Sequence, residues 1–332
     1  MNILWGIALA LVVAVPAWFL GAAIPVVGGP VFGILIGMTI ALLRRPAVFE
    51  TGLKFTTKKV LQAAIILLGF EMNLTKVLVV GGESLVVMAF TLTAAFLTAW
   101  GVSRLLGLTG NTPVLIGVGT AICGGSAIAA TAPVIGADDG EVARSISTIF
   151  LFNVLAVFLF PPLGRLLGLS DTGFGLWAGT AVNDTSSVVA TGLAFSEAAL
   201  SYATVVKLTR TLLIIPVVLV LAIYNSRRKA ANTDGGKSGN PRIRLAKLFP
   251  WFVLGFLLAS VLRTTGLVDA SLARTLGVGG KFLIVMAMSS IGLNTRIGTL
   301  VSSGWKPIVL GLSCWFAVAS TSLLAQFVSG RW

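Results

Sequence analysis

The chain has 332 residues, of which 56% are hydrophobic and only 11% are charged, and its formal net charge is +13. Because a soluble protein carries about 25% charged residues and cannot bury this much apolar surface, the composition excludes a soluble enzyme and a nucleic-acid partner as the reason for the positive charge. The absence of histidine excludes histidine metal sites and Ser-His-Asp triads, and the two cysteines lie in apolar stretches, which does not indicate a disulfide framework.

Windowed hydropathy predicts an all-α polytopic membrane protein with about eleven transmembrane helices. They lie near residues 3–20, 28–43, 60–74, 84–104, 112–136, 143–164, 173–194, 202–224, 249–265, 281–296 and 305–328. No Lys or Arg precedes the first segment, which therefore reads as a retained helix rather than a cleaved signal. The whole chain, residues 1–332, is expected to form a single transmembrane transporter domain.

Two basic connections predict the orientation. Residues 44–59 hold five Lys and Arg against one Glu, and residues 225–248 hold seven against one Asp. Eleven helices would place both connections on one side, and cytoplasmic loops carry the excess of basic residues. We therefore expect a multi-pass protein of the bacterial plasma (inner) membrane, with a cytoplasmic N-terminus, a cytoplasmic loop at 225–248 and the C-terminus outside. The acidic turn at 138–141 is then expected outside.

Two internal repeats indicate the architecture. The segments around Gly69 and Gly292 align without a gap and would run in opposite directions, which is typical of inverted-repeat secondary transporters. Residues 119–132 also align with 179–192. If both of these segments crossed the membrane they would be parallel, so their relative orientation stays open: one segment is re-entrant, a helix is miscounted, or the second half is permuted.

Two polar segments predict discontinuous helices. They comprise Cys123, Gly124, Gly125 and Ser126 in the fifth predicted helix, and Asn183, Asp184, Thr185, Ser186 and Ser187 in the seventh. Glycine costs a helix roughly 1 kcal/mol against alanine, and Asn, Asp, Ser and Thr are preferred N-caps, so each segment can end one half-helix and start another. The freed N–H groups and the positive dipole ends suit an anion. A close helix crossing through small residues is the structural alternative.

Lys207 and Arg210 are the charges that orientation does not explain. They lie three residues apart, hence on one face of the eighth predicted helix, and Asp184 is the nearest candidate partner in the sequence. A structural ion pair, snorkelling from the helix end, and a substrate or proton site all remain open. Asn153 is interpreted as an interhelical hydrogen bond, and Glu71 as solvated near the interface.

Three segments resemble, in this order, the signatures of the YeiH-like sulfate exporter family. They are Cys123-Gly-Gly-Ser-Ala-Ile-Ala-Ala-Thr-Ala-Pro133-Val-Ile-Gly-Ala137, Gly179-Thr-Ala-Val-Asn-Asp-Thr-Ser-Ser-Val-Val-Ala190 and Val206-Lys-Leu-Thr-Arg210. The resemblance spans most of the chain and implies a bacterial inner-membrane transporter related to the bile-acid, arsenite and bicarbonate carriers, with broken helices at a central site. Many members have His-Asp-Thr-x-Gln where this chain has residues 183–187, a departure that retains Asp184 and Thr185.

We therefore expect a secondary transporter that exports a small anion such as sulfate or a sulfonate. Residues 123–126 and 183–186 would bind it at half-helix ends, with positive charge from Lys207 and Arg210. No catalysis, metal or cofactor is expected beyond a coupling H⁺ or Na⁺, taken up by Asp184 or Lys207. The expected partners are the anion and the lipid bilayer, and homodimerisation is left open.

Three alternatives remain at this point. The first is a cation/proton antiporter with Asp184 as the ion-binding carboxylate. The second is an intramembrane enzyme with Ser126 as nucleophile and Lys207 as base, which no substrate signature supports. The third is a non-transporting assembly or regulatory membrane protein.

Overall fold

The structure, a computed structural model, describes residues 2–24, 28–43, 46–232, 251–295 and 304–332. Within these ranges it contains helices and no strands. The loop predicted at 225–248 lies outside the described residues from position 233 onward. By length and composition, six helical segments of the described chain could each cross a membrane, namely 3–23, 74–105, 139–166, 197–225, 270–294 and 305–328. The chain is thus a polytopic membrane protein.

We number the helices in chain order. They are α1 (Asn2–Ala23), α2 (Gly29–Ala41), α3 (Glu50–Phe55), α4 (Leu61–Gly69), α5 (Leu74–Leu105), α6 (Thr112–Ala121), α7 (Gly125–Ile135), α8 (Asp139–Leu166), α9 (Asp171–Ala181), α10 (Thr185–Phe195), α11 (Glu197–Leu212), α12 (Ile214–Asn232), α13 (Trp251–Thr264), α14 (Ala270–Asn294) and α15 (Trp305–Val328). A 3₁₀ turn (Ala47–Phe49) precedes α3, and a π turn (Thr56–Val60) joins α3 to α4.

Polar N-caps set the starts of several helices. Asn73, Ser170 and Ser196 each accept a hydrogen bond from a backbone N–H in the first turn of α5, α9 and α11. Asp138 forms a reciprocal capping box with Glu141 at the start of α8. Such caps satisfy N–H groups that the helix itself leaves unpaired, which is why these polar residues fix helix boundaries within an apolar chain.

The helices pack into two groups. The peripheral group comprises α1–α4, α13 and α14, in which α2 and α14 approach closely because a Cβ on Gly292 would lie only 2.4 Å from the carbonyl oxygen of Ile34. The hairpin group comprises α5–α12 and α15, and its aromatic core includes the stacked rings of Phe160 and Trp177, whose centroids are 4.1 Å apart. A close helix approach at glycine and a stacked aromatic pair are thus among the packing features of the two groups.

Helices α6 and α7 form a re-entrant hairpin, which we call hairpin 1. Asn111 just before α6 donates from its side chain to the carbonyl of Gly136 just after α7, over 3.5 Å, and its backbone N–H donates to Glu141 over 2.6 Å. A continuous crossing would separate these ends by the thickness of a bilayer. The prediction of a crossing helix at 112–136 is therefore wrong: the segment turns back at its break.

Helices α9 and α10 form a second re-entrant hairpin, hairpin 2. Ser196, just after α10, donates from its hydroxyl to the carboxylate of Asp171 at the start of α9, over 2.6 Å. Both arms pack on the same turn of α11, where Gly175 and Gly192 lie against Ala199. The predicted crossing at 173–194 is likewise wrong, so the expectation of about eleven crossing helices is corrected at these two segments.

The two hairpins enter from opposite faces. Helix α8 starts directly after hairpin 1 and ends just before hairpin 2, and its 28 residues span about 42 Å. The segment 197–225 starts beside hairpin 2 and ends at Asn225. There, the side chain of Asn225 donates to the carbonyl of Val134 in hairpin 1 over 2.7 Å. The acidic turn at 138–141 therefore lies at the face where the basic connection starts, and the prediction that they lie on opposite faces is wrong.

Candidate functional site

The tips of the two hairpins meet. Helix α6 ends at Ala121 and helix α9 ends at Ala181, and the chain resumes as α7 at Gly125 and as α10 at Thr185. A Cβ on Gly124 would lie 3.7 Å from the carbonyl carbon of Asn183, so the two predicted polar segments are in contact. The break in hairpin 1 requires glycine, because Gly124 adopts φ +67° and ψ −126°, a conformation that side chains rarely allow.

Lys207 holds both tips together. Its ammonium donates to the carbonyl of Ile122 over 2.7 Å and to the carbonyl of Val182 over 3.1 Å. These carbonyls close α6 and α9, and the C-terminal carbonyls of a helix have no intrahelical partner. A single cation on α11 therefore satisfies the ends of two half-helices that come from opposite faces.

Arg210, one turn further along α11, completes the same contacts. Its Nε donates to the carbonyl of Ala121 over 2.7 Å and its Nη1 to that of Val182 over 3.3 Å. Its Nη2 also donates to the carbonyl of Thr120. Because helix C-termini carry partial negative charge, the two cations also complement the dipoles of α6 and α9.

Lys207 and Arg210 face the carbonyls of helix C-termini, and their positive charges are not neutralised by an ion pair in the described part of the chain. Lys207 is 0% exposed and Arg210 is 1% exposed. Neither forms an ion pair with any acidic residue in the described part of the chain. The structural pair with Asp184 that the sequence left open is therefore not formed, and the tips contain an excess of buried positive charge.

Asp184 instead forms the N-cap of α10 in hairpin 2. Its carboxylate accepts from the backbone N–H of Ser186 over 3.0 Å and also from the hydroxyl of Ser186. Asp184 and Thr185 are half-buried, whereas Ser186 is buried. The aspartate thus has a defined structural role at the start of α10, the N-cap role that its residue type favours.

Asn153 of α8, which the sequence predicts to form an interhelical hydrogen bond, positions the tip of hairpin 2. Its side-chain oxygen accepts from the backbone N–H of Asn183 over 3.2 Å and from that of Asp184 over 3.1 Å. These donors belong to the unwound segment and have no helical acceptor. The only available signal was one amide side chain in the middle of an apolar helix.

Several polar groups at the tips are left for another partner. Helix α7 has no side-chain cap, no atom lies within 4 Å of a Cβ built on Gly125, and Ser126 is exposed. Asn183 is 1% exposed, and both atoms of its side-chain amide lack a hydrogen-bond partner among the described residues. Since buried polar groups are nearly always paired, the unpaired amide of Asn183 and the uncapped start of α7 indicate a place for a polar ligand. Cys123, which is buried, lies at the same tip.

Comparison with known proteins shows the family. The family model described as conserved hypothetical protein 698 matches residues 5–311, and the chain belongs to this family. A UPF0324 membrane protein of Fusobacterium nucleatum is 47% identical over 99% of both chains. UPF0324 membrane proteins of Streptococcus pyogenes serotype M6 and Streptococcus mutans are 49% and 48% identical over 98% of this chain and 97% of each relative. No solved structure matches. These names describe membrane proteins and state no substrate.

Proposed function

We propose that this member of the conserved hypothetical protein 698 family is a secondary transporter of a small anion such as sulfate or a sulfonate, bound between the tips of hairpins 1 and 2. The observation that carries the proposal is the pair of buried cations, Lys207 and Arg210, which face backbone carbonyls and no carboxylate. Ionisable groups at membrane depth mark substrate or ion pathways far more often than they serve packing alone.

The electrostatics favour an anion over a cation. Two positive charges meet one nearby carboxylate, that of Asp184, and this carboxylate already accepts from Ser186. In a site of low dielectric, an excess charge attracts an opposite ion several times more strongly than it does in water. A cation at the same place would add a third positive charge, which makes the antiporter the weaker hypothesis.

The hydrogen-bond donors favour an oxyanion. The first turn of α7 has backbone N–H groups without a side-chain cap, a Cβ on Gly125 would meet open space, and Ser126 is exposed. Helix N-termini bind sulfate, phosphate and carboxylate groups through these N–H groups and the dipole. The unpaired amide of Asn183 supplies a further donor to a ligand that reaches between the tips.

The arrangement of the hairpins supports alternating access. The two hairpins would be inverted repeats that enter from opposite faces, with the site where they meet. Hairpin 2 also contacts the peripheral group, because Ala194 of α10 shares a hydrophobic cluster with Ile34 of α2 and Ile284 of α14. Movement of the hairpin group against the peripheral group across this apolar contact would expose the site to each face in turn.

The remaining parts of the proposal follow from the sequence. The protein would lie in the bacterial inner membrane with its N-terminus in the cytoplasm, since the basic connections set that orientation. Transport would run outward and be coupled to H⁺ or Na⁺, with Asp184 as the group that takes up the coupling ion.

Radiolabelled sulfate counterflow in proteoliposomes tests the proposal. Gly125→Ala places a methyl group in the open space without touching another side chain, so we expect KM to rise about tenfold, the effect of one methyl group in a binding pocket. Gly82→Ala on α5 is the matched control, because its Cβ also meets nothing within 4 Å but lies away from the tips. Counterflow should remain at the wild-type level in the control.

Two results would overturn the proposal. One is the absence of counterflow of sulfate, methanesulfonate and ethanesulfonate by the wild-type protein at all concentrations tested. The other is proton release on addition of Na⁺ or K⁺ that Asp184→Asn abolishes, which would identify a cation/proton antiporter instead.

A further inference from the structure

A second polar cavity lies at the face where hairpin 2 opens. Its volume is about 560 Å³, and it is lined by the α4–α5 connection, the start of α9, the start of α11 and the end of α13. It therefore lies on the boundary between the peripheral group and the hairpin group, and we call it the seam cavity. Lys76, Arg263, Ser201 and Tyr202 are among the side chains on its wall.

The charge of the seam cavity is positive once its ion pairs are counted. Its acidic lining residue, Glu71, is paired with the buried Lys281 of α14 over 3.2 Å, and Lys281 also binds Glu197 over 2.8 Å. Neither Lys76 nor Arg263 forms an ion pair with a carboxylate within the described ranges. Because the single charge of Lys281 is shared by two carboxylates, Lys76 and Arg263 leave a net charge of about +1 around the cavity, beside hydroxyl groups that can donate hydrogen bonds.

The seam cavity is also connected to the tips through one helix. Ser201 and Tyr202 lie on α11, two turns before Lys207, and Tyr202 packs on Gly175 of hairpin 2. At 1.5 Å per residue, the cavity wall and the buried lysine are separated by about 9 Å along the helix. A solute that leaves the tips toward this face would meet the seam cavity next.

We propose that the seam cavity is a second binding site for the transported oxyanion, a sulfate- or sulfonate-sized anion held between Lys76 and Arg263 before it reaches the tips or after it leaves them. This inference rests on the proposed function in one respect, the identity of the substrate. The site itself is defined by the cavity and by its two cations. An anion held here is partly solvated, so its affinity falls as ionic strength rises.

Two measurements test the seam site separately from transport. In the first, Ser201→Cys, which leaves both cations in place, is labelled by a positively charged methanethiosulfonate in detergent, where the two native cysteines are buried. We expect sulfate to slow this labelling at least threefold and an equal ionic strength of chloride to slow it less. In the second, Lys76→Gln and Arg263→Gln together should raise KM for sulfate counterflow about tenfold with kcat changed less than twofold, since they remove charge that attracts the anion.

Lys54→Gln is the matched control, because Lys54 is an exposed cation in a peripheral helix and pairs with Glu50, four residues earlier in the same helix. It should leave KM unchanged. If the wild-type protein shows counterflow and the double variant has an unchanged KM, the seam site is overturned and the proposed transporter function stands. Protection of Ser201→Cys without any counterflow retains the seam site and removes the transporter. Absence of both protection and counterflow overturns both.

Discussion

Asn153 is the residue at which folding and anion binding can be separated. Its single side-chain oxygen holds the tip of hairpin 2 by accepting from the backbone N–H groups of residues 183 and 184. Asn153→Leu removes this acceptor, whereas Asn153→Asp retains it and adds a negative charge. Asn153→Leu should therefore lower stability without adding a charge, whereas Asn153→Asp should change the charge of the tips with little effect on stability.

The magnitudes follow from the two hydrogen bonds and from Coulomb's law. Leaving a buried donor without a partner costs about 1–3 kcal/mol, so Asn153→Leu should destabilise the protein by about 2–6 kcal/mol. Asn153→Asp should stay within about 1 kcal/mol of the wild type, because its oxygens accept the same N–H groups near two cations. A new charge roughly 8 Å from a bound anion, at an effective dielectric constant of about 20, costs about 2 kcal/mol for each negative charge of the anion, which weakens binding about 30-fold for a sulfonate and about 1,000-fold for sulfate.

Thermal unfolding in detergent and sulfate counterflow provide the two measurements. We expect a lowered midpoint for Asn153→Leu, and for Asn153→Asp a midpoint near that of the wild type with a strongly raised KM. An unchanged KM in Asn153→Asp would refute the assignment of an anion to the positive tips. A gain of Na⁺ or proton transport in that variant would instead favour a cation site.

Three further substitutions test the contacts at the tips and the opening of hairpin 2. Asp184→Asn keeps an equally good N-cap, so the unfolding midpoint should stay near the wild type; loss of counterflow with an intact fold would assign the coupling ion to the carboxylate. Gly124→Ala should lower the free energy of unfolding by about 1–3 kcal/mol, since φ is +67° and the new methyl group would lie 3.3 Å from Ile149. An unchanged thermal unfolding midpoint would argue against this backbone conformation. Ser196→Ala removes the cap of α11 and the bond that closes hairpin 2, and should lower the free energy of unfolding by about 1–2 kcal/mol; an unchanged midpoint would contradict this role of Ser196.

The breaks in the helices could be predicted from the sequence, but the direction of the chain after each break could not. Glycine at 124 and aspartate at 184 interrupt apolar runs with residues that favour loops and caps, and both breaks occur there. A segment that crosses the membrane and one that turns back have the same length and hydropathy. What decides is a tertiary contact such as that between Asn111 and Glu141, which lie 30 residues apart.

The charges of the candidate site could be identified, but their partners could not. Lys207 and Arg210 stand out because nothing in the orientation of the chain explains them, and both lie at the tips. Their partners are backbone carbonyls, which every residue has, so no sequence pattern indicates them. The same holds for Asn153, whose partners are backbone N–H groups of an unwound segment.

The opposed hairpins remove the conflict between the repeat and the topology. Residues 119–132 and 179–192 align in the same direction along the sequence, yet they run oppositely in space because hairpin 1 and hairpin 2 enter from different faces. The two breaks therefore meet at the tips, where Gly124 lies beside Asn183 and Lys207 binds the C-terminal carbonyls of both α6 and α9. Two cations donate to these carbonyls, and a carboxylate partner would compete with the carbonyls for the cations.

The same two cations thus hold the tips and supply the charge that we propose for the substrate. Removing Lys207 would leave the buried carbonyl of Ile122 without its donor and that of Val182 bonded to Arg210 alone, at a cost of about 1–3 kcal/mol, and would therefore lower transport whether or not the charge contacts an anion. Loss of activity in that variant cannot distinguish the two roles. Gly125→Ala and Asn153→Asp can, because one changes the space beside the tips and the other changes their charge while the contacts of Lys207 remain.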